Sequence, residues 1–544
     1  MNSKTSTNSR LGIVVAFVMV FLLITSMHSY YYLNEILAKP SENWGRDMLI
    51  KSRIPHRVTP SVYMEGDNAN VLIGNGDSFK NITINRKTAE LKSEDIVIKD
   101  ARTDIVARML WNKDYIFWTE NYDLYYSVKQ SDGSYGSKIL LADNVRDYNF
   151  FDDDETYLIV ADNEGLFLFE AAGGNVSLKS SYELKDPRGV DIIQGNNKLL
   201  YVAACASPDN INYNFKYLTY DGSVWKQISD KNFRWVAGSV YKVEIALDDT
   251  DAYIFFQYGT MSSRVSESEV FFSKVPLAAD TCEMEFEKLM VLEGERPEFT
   301  FVCQPEASKT QGDKVQLAVI KDVLDKRYNK RYGIYQLTID NGKVIDREAM
   351  IREVRWVSRM DYCTTGSENV LVYLIPAGKF DSEVHYTDNG KAYVEAISRA
   401  RPIDVIYAFF GVLPGYINSI FFIALKTILL IPSILWIVAI EILEVRKLKK
   451  RPYLILTVAI VIHIIVRLFA IGVDYTDMSM TLMPDVLKFS GAPYVYVLAI
   501  AAVSILISRL FKSTKPDMSH ITQFVIFAAS DLIINAMLYT GYIY

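Results

Sequence analysis

The sequence predicts a multi-domain membrane protein, in which an all-β repeat domain lies between hydrophobic segments at the two ends of the chain. Three observations lead to this prediction. Residues 11–29 contain no charged side chain, four long apolar segments follow residue 415, and short apolar strands recur between them. The chain has 544 residues and is therefore too long for one ordinary hydrophobic core.

The first hydrophobic segment, residues 11–29, is predicted to be a transmembrane anchor helix. Lys4 and Arg10 lie in the preceding residues 1–10, which we interpret as a short cytoplasmic tail. A cleaved signal peptide is the alternative, but the sequence after the segment lacks the small residues of a cleavage site and is rich in tyrosine. Residues 30–57 are then a linker to the β-rich domain.

Residues 416–544 are predicted to form a bundle of four transmembrane helices, each long enough for about 30 Å of hydrocarbon. The four apolar segments are residues 416–443, 453–473, 493–511 and 521–541. Basic loops at 444–452 and 509–515 alternate with an acidic loop at 474–492. Because basic loops stay in the cytoplasm, we expect a multi-pass protein of the plasma membrane. Its N-terminus would lie inside, and its β-rich domain and C-terminus outside.

The segment 399–415 is apolar and ends in Pro414 and Gly415. We interpret it as an interfacial helix that leads into the first C-terminal span. A further spanning helix is the alternative, although it would turn the basic loop 444–452 outward, against the positive-inside rule.

The middle of the chain is predicted to be a repeat, because short apolar strands follow polar turns at intervals of about 40 to 60 residues. Seven such strands occur, at residues 70–73, 115–118, 157–160, 199–202, 253–256, 315–319 and 370–373. The turn sequences FDDDETYLIV (151–160) and LDDTDAYIFF (247–256) are close copies. Asp-Gly, Asn-Gly or Gly-Gly pairs, which favour tight hairpins, occur at 132–133, 173–174, 221–222, 341–342 and 389–390.

This pattern resembles that of β-propellers, and the resemblance covers the repeat domain alone. It implies an all-β propeller of about seven four-stranded blades over residues 58–398, with six or eight blades as alternatives. A single blade cannot bury both of its faces, whereas a radial arrangement buries each face against a neighbouring blade. The C-terminal helices resemble no family that we recognise.

The residue types that common catalytic and metal sites need are scarce. There are five histidines, and the sequence has no HExxH, no GxSxG and no phosphate-binding Gly-rich loop. The four cysteines form no CxxC pair, which argues against a structural zinc site. They could be buried thiols or form one or two disulfides, and the sequence does not decide between these alternatives. We therefore assign no catalytic residue, metal ligand or cofactor, and we expect a protein that is not an enzyme.

Acidic residues outnumber basic ones in the middle domain, which argues against nucleic acid as a partner. The predicted cytoplasmic pieces are too short to fold as domains of their own. The first hypothesis is therefore an extracytoplasmic binding, scaffold or assembly module for a membrane or envelope protein, held in membrane lipid. An accessory subunit of a transport or envelope-polymer assembly system and an extracellular glycan hydrolase are the alternatives.

The predicted binding region consists of long loops between the second and third strands of units four to six. Loops on a rigid scaffold commonly carry binding residues. The third of these loops is basic in an otherwise acidic domain, and we expect it to contact an acidic partner, with a solvated loop as the alternative. The candidate binding residues are Arg264, Lys326, Arg327, Tyr328, Lys330 and Arg331.

Ionisable residues within the predicted spans form the second candidate site. Such residues are unfavourable in hydrocarbon and therefore usually face the bundle interior and pair. We expect Asp531 to pair with Arg467 or Lys426. His463 lies four residues before Arg467 and hence on the same helix face, and Asn535 follows at the same spacing on the other helix. An ion pair that fixes helix packing, a proton- or ion-linked site and a contact for a partner are the alternatives.

Overall fold

The computed structural model describes residues 3–55, 58–101, 109–153, 155–234, 238–261, 266–290, 302–324, 330–378, 381–443, 450–471 and 488–540. The chain divides into two units. One is Lys39–Arg399, and the other combines Met1–Ala38 with Ala400–Tyr544. The first unit is built mainly of strands and the second of helices.

Lys39–Arg399 folds into seven four-stranded antiparallel sheets, which confirms the predicted β-propeller and its number of blades. Blades 1 to 3 contain β2 (Ser61–Glu65), β3 (Asn68–Gly74), β4 (Ser78–Asn85), β5 (Glu90–Lys99), β6 (Leu110–Trp111), β7 (Tyr115–Glu120), β8 (Asp123–Val128), β9 (Ile139–Ala142), β10 (Asp147–Asp152), β11 (Thr156–Ala161), β12 (Gly165–Ala172) and β13 (Asn175–Glu183).

Blades 4 to 6 follow the same order along the chain. They contain β14 (Pro187–Gln194), β15 (Leu200–Ala206), β16 (Asn212–Tyr220), β17 (Trp225–Arg234), β18 (Ser239–Leu247), β19 (Asp251–Met261), β20 (Ser266–Pro276), β21 (Glu287–Lys288), β22 (Val302–Ala307), β23 (Val315–Leu324), β24 (Lys330–Asp340) and β25 (Lys343–Ala349). The first strands of neighbouring blades contact one another, so these strands surround the centre of the propeller.

Blade 7 joins the two ends of the propeller. It contains β26 (Arg359–Thr365), β27 (Glu368–Pro376), β28 (Asp381–Asp388) and, as its outermost strand, β1 (Met48–Pro55). The strand β1 belongs to the segment that the sequence predicted as a linker, residues 30–57, so the structure differs there. Ile50 and Ile54 are the reason, because both side chains are buried in the core shared by blades 7 and 1.

The structure also corrects the predicted hairpin at 389–390, and the position of β1 in blade 7 is again the cause. The chain turns there from β28 into the helix α2 (Lys391–Ile397), because β1 already occupies the fourth position of the sheet. Tyr393 and Ile397 of α2 are buried in the core of this blade. The other four predicted turns do lie between the third and fourth strands of their blades, with positive φ at Gly133, Gly174, Gly222 and Gly342.

The seven apolar strands that the sequence predicted are the second strands of the seven blades. Their central residues are almost completely buried, for example Val71, Ile159, Val202, Phe255 and Val372. These strands are apolar on both sides because a neighbouring blade covers each face of the sheet. The repeat signal in the sequence therefore came from the most buried strand of each blade.

Carboxylates on the first strands bind the backbone of the next blade. Such hydrogen bonds join blades 3 to 4, 4 to 5, 5 to 6 and 7 to 1. In each of them the carboxylate accepts the hydrogen of a backbone N–H. The pairs are Asp147 with Val190 at 2.9 Å, Asp191 with Ile245 at 2.7 Å, Glu244 with Ala307 at 3.4 Å and Asp361 with Val62 at 2.8 Å. Sequence reasoning missed these residues because acidic side chains are common throughout this domain.

The second unit contains a long N-terminal helix, α1 (Ser3–Leu37), and a series of C-terminal helices. These are α3 (Pro402–Gly411), α4 (Leu413–Lys426), α5 (Ile431–Ile442), α6 (Pro452–Phe469), α7 (Ala492–Thr514) and α8 (His520–Thr540), with a 3-10 turn at Thr427–Leu430. Among the described residues, the segments Pro452–Phe469, Ala492–Thr514 and His520–Leu538 are long and apolar enough to cross a membrane.

The first predicted C-terminal span, residues 416–443, is divided into two shorter helices. Pro432 lies in the first turn of α5, and proline has no N–H to continue the hydrogen bonds of the preceding helix. The 3-10 turn between α4 and α5 lies just before it. The predicted interfacial segment 399–415 contains α3, where Arg401 N donates to Asp404 Oδ2 at 3.0 Å.

Candidate functional site

The chain enters and leaves the propeller at one end of blade 7. Met48, the first residue of β1, pairs with Tyr386 near the end of β28, and Gly45 N donates to Asp388 O at 3.1 Å. Neighbouring strands are antiparallel, so the turns between first and second strands and between third and fourth strands share this side of the propeller. We call this side the hairpin face, and its turns include residues 86–89 and 112–114.

The opposite side carries the connections between second and third strands and those between blades, and we call it the long-loop face. Blade 5 projects beyond blade 2 there. The strands β19 and β20 have 11 residues each, whereas β7 and β8 have 6 each. Equivalent turns precede Asp251 and Tyr115, so the extra five residues lie at the long-loop end and extend it by about 16 Å. In blade 6, β23 and β24 are similarly long, with 10 and 11 residues.

The predicted binding residues belong to these two projecting blades. Arg264, Lys326, Arg327 and Tyr328 lie outside the described residues. Lys330 and Arg331 begin β24, and Arg331 is half-buried. Their role in binding therefore stays a prediction. The described part of the long-loop face includes the bases of these hairpins, the shorter connections between second and third strands of other blades, and segments between blades.

Trp356 stands out on this face, in the segment between β25 and β26. Its side chain is 61% exposed, and its ring stacks on Tyr332 of β24 with centroids 6.5 Å apart and planes at 26°. Two backbone bonds hold the segment against β24: Tyr332 N donates to Val354 O at 2.7 Å, and Val354 N donates to Tyr332 O at 2.9 Å. The segment that carries the exposed ring is therefore held against β24.

Arginines lie near Trp356 in the chain. Arg352 and Arg355 are exposed in the same segment, and Arg359 at the start of β26 is half-buried. Acidic side chains lie nearby as well: Glu353 is exposed in the same segment, Asp361 follows Arg359 by two residues, and Asp322 pairs with Tyr332 across the sheet. We call Tyr332, Arg352, Arg355, Trp356 and Arg359 the tryptophan–arginine patch. The sequence signal that could have found it is the run MIREVRWVSRM, residues 350–360.

The helical unit brings three of the five predicted intramembrane residues into contact. Asp531 Oδ2 lies 2.7 Å from the Arg467 guanidinium and 3.0 Å from His463 Nε2. All three side chains are buried, as is Asn535, one turn further along α8. Lys426, the other partner offered by the sequence, is half-buried at the C-terminal end of α4. The His463 ring also meets Phe527 edge to face, at a centroid distance of 5.6 Å.

A further charged cluster lies between the first strands of blades 4 to 6. The Lys309 ammonium contacts the buried carboxylate of Asp191 and lies 3.3 Å from Glu244 Oε2. Lys242 joins Glu244 to Glu306 in the same way. Complete burial raises the pKa of Asp191 to about 7, although the Lys309 ammonium acts in the opposite direction. Because each carboxylate here has a cation beside it, we interpret this cluster as a link between blades.

No family model matches the sequence, and no curated protein matches it. Solved structures are similar in fold. The WD40 domain of SCAP from fission yeast is 8% identical, covers 65% of this chain and 100% of its own, and has a TM-score of 0.35. A polysaccharide lyase is 8% identical over 63% of this chain and 98% of its own, with a TM-score of 0.42. An α-L-arabinanase from Penicillium chrysogenum is 7% identical over 44% of this chain and 80% of its own, with a TM-score of 0.31. These low scores carry no argument about function.

Proposed function

We propose that this chain is a multi-pass protein of the plasma membrane, whose propeller binds an acidic membrane or envelope protein on the extracytoplasmic side. The single observation that carries the proposal is the exposed Trp356, stacked on Tyr332 and near arginines in the chain. Tryptophan, tyrosine and arginine are the residues that most often dominate protein–protein binding energy. Arginine charge favours an acidic partner by complementarity.

The position of the patch supports this function. Both chain connections leave the propeller on the hairpin face, and the patch lies on the long-loop face. A partner on the long-loop face therefore does not compete for space with the segments before β1 and after β28. The predicted binding residues Arg264, Lys326, Arg327 and Tyr328 lie outside the described residues, and we propose that they extend the contact surface.

The helices support the membrane part of the proposal. Three C-terminal helices are long and apolar enough to cross a bilayer. The basic residues between the predicted spans favour a cytoplasmic position for 444–452 and 509–515, which would leave the propeller outside.

Photo-crosslinking in intact cells tests the binding face. A photoreactive amino acid would replace Trp356 in one variant and Val224, which is 63% exposed at a hairpin-face turn, in a control variant. We expect one discrete crosslinked protein from position 356 and none from position 224. The same adduct from both positions, or none from either, would contradict a binding site on the long-loop face.

Charge and ring substitutions then test the chemistry of the contact. Trp356→Ala is expected to weaken binding of the crosslinked protein by about 30-fold, the equivalent of a hot spot of about 2 kcal/mol. Arg355→Glu is expected to weaken it as well, and more strongly at low salt. Lys87→Glu is the matched control, because Lys87 is exposed on the hairpin face and pairs there with Asp67. Equal loss in the control would show a general charge effect.

A further inference from the structure

The buried polar groups of the helical bundle have more bonding capacity than the described contacts use. Asp531 Oδ2 accepts from both His463 and Arg467, whereas Asp531 Oδ1 has no hydrogen-bond partner among the described residues. Asn535, 1% exposed and one turn away on the same helix, has no partner for either atom of its amide. These unpartnered atoms lie on one face of α8, because residues four apart are neighbours on a helix.

The helices in contact with α8 contribute unpartnered atoms too. Within the part of the chain that the structure describes, His463 Nδ1 on α6 has no hydrogen-bond partner, and the same holds for the hydroxyls of Ser504 on α7 and Ser433 on α5. All three side chains are buried. The helix pairs α5–α6, α6–α7, α6–α8 and α7–α8 are in contact, so these atoms belong to one continuous bundle interior.

Their chemistry suits water. A buried polar atom without a partner costs free energy, and in proteins such atoms are normally satisfied by ordered water with roughly two to four bonds. When Asp531 is ionised, His463 Nε2 carries the hydrogen and donates it, which leaves a lone pair on Nδ1. Asp531 Oδ1 and this Nδ1 are then acceptors, and the Asn535 amide is both a donor and an acceptor.

We propose that the bundle encloses a hydrated site that binds one proton, with His463 Nδ1 as the accepting atom. The proton comes from a hydronium ion in the site: its O–H bond breaks, an N–H bond forms at Nδ1, and a water molecule remains. The imidazole becomes an imidazolium, while Asp531 stays ionised as its counter-ion and Arg467 keeps its charge. The net charge of these three side chains thus changes from zero to +1.

The charged and titratable groups around the site support this assignment. On α6 and α8 themselves, Arg467 and Asp531 face His463 directly. The part of α7 before Arg509 has no charged residue. On α5, Glu441 lies 3.7 Å from His520, and α4 contributes Lys426 at its end. On α1, the buried His28 lies with its Nε2 3.0 Å from the Met537 carbonyl oxygen of α8. Among the described residues at this site, Asp531 is the acidic partner of His463, and histidine is the side chain that titrates near neutral pH.

Nitrogen NMR of the full-length protein in lipid nanodiscs, with ¹⁵N-labelled histidine, tests the proposal. His463→Gln identifies the His463 resonances by their disappearance. We expect a neutral ring with hydrogen on Nε2 at about pH 8, and the appearance of a second ring proton as the pH falls to about 5. A ring that stays in one protonation state across this range would overturn the proton site.

Asn535→Leu separates a hydrated site from merely unsatisfied groups. If water links Asn535 to His463, the substitution is expected to lower the melting temperature and to abolish the pH response of His463. If the amide is simply unsatisfied, the substitution would leave the pH response unchanged and raise the melting temperature, which would overturn the proposal. Ile533→Leu, on a more exposed face of α8, is the matched control. Asn535→Ser keeps a polar group, so it is expected to retain the response if the leucine variant does not fold.

Discussion

Met48 of β1 pairs with Tyr386 of β28, and this pairing closes the propeller by joining its first strand to its last. The outermost strand of blade 7 thus comes from the residues that precede blade 1. Both connections to the helical unit lie in this blade, so the other six blades carry none. Closure by strand pairing makes the stability of the whole ring depend on the side chains of β1.

Ile54→Ala is expected to destabilise the propeller. Ile54 is 1% exposed and packs in the core shared by blades 7 and 1, so the truncation leaves a cavity at the closure. The expected loss in the free energy of unfolding is about 2–5 kcal/mol. Thermal unfolding of the purified full-length protein, followed by near-UV circular dichroism, measures it. Leu49→Ala on the same strand is the control, because Leu49 is 46% exposed and its truncation should change little.

Arg86→Met is expected to weaken the same closure through charge. Arg86 Nε lies 2.6 Å from Asp388 Oδ2 and Arg86 Nη2 lies 3.0 Å from Asp388 Oδ1, so the guanidinium of blade 1 holds a completely buried carboxylate of blade 7. Removal of the cation leaves that carboxylate uncompensated, at a cost of about 3–5 kcal/mol. Lys87→Met removes the exposed neighbour that pairs with Asp67 and should cost less than about 1 kcal/mol. Equal melting temperatures for the two variants would contradict this role of Arg86.

The closure shows which part of the fold the sequence could predict. The second strands of the blades, such as 157–160 and 253–256, carry their own signal, because burial on both faces makes them apolar between polar turns. The strand β1 has no such signal, since its partner lies at the other end of the domain and only the pairing makes it a blade strand. The Asn-Gly turn at 389–390 misled for the same reason, because a local turn signal does not show which strand occupies the next position.

The contribution of Asp191 to the stability of the propeller is expected to fall as the pH rises from about 4 to about 7. Burial raises the pKa of this carboxyl from an ordinary value of 3.8 to about 7. A group with a raised folded-state pKa binds its proton more tightly in the native state, so its stabilisation is present at low pH and is lost as the pH passes the folded pKa. Melting temperatures of the wild type and of Asp191→Asn, measured over this pH range, give the contribution as their difference.

Lys309 provides the control for this pH dependence, because its ammonium contacts Asp191 and opposes the effect of burial. Lys309→Met should raise the pKa of Asp191 further and extend the pH-dependent range upward. If the difference between the wild type and Asp191→Asn does not change with pH, the carboxyl is ionised throughout, and the lysine outweighs burial.

The two candidate sites differ in how far the sequence could reveal them. Asp531, His463 and Arg467 are charged or polar residues in apolar segments, so each stands out from its neighbours in the chain, and their helical spacing predicts which share a face. Trp356 lies in a segment between blades that follows no period, and its importance depends on exposure and on the stack with Tyr332. Those properties arise from tertiary packing, and the arginine-rich run 350–360 does not by itself reveal them.

Cysteine labelling in intact cells is expected to place the propeller and the basic loop 444–452 on opposite sides of the membrane. A thiol introduced by Lys185→Cys in the propeller should react with a membrane-impermeant maleimide from outside, because Lys185 is exposed. A thiol introduced by Lys450→Cys, in the basic loop 444–452, should react only after the cells are permeabilised. The natural cysteines should contribute little background, because burial raises the pKa of the Cys205, Cys282 and Cys363 thiols. Cys303→Ser removes the fourth.

The outcome for position 450 decides between two topologies. Labelling from outside would place the basic loop 444–452 on the extracytoplasmic side, which requires one more crossing between the propeller and that loop. The apolar helix α3 (Pro402–Gly411), followed by α4, is the segment available for it. A third thiol, introduced by Ile406→Cys on α3, where Ile406 is 48% exposed, tests this directly. An interfacial helix leaves this thiol reactive with the water-soluble reagent, whereas a spanning helix buries it in hydrocarbon, where maleimide does not react because the thiolate cannot form.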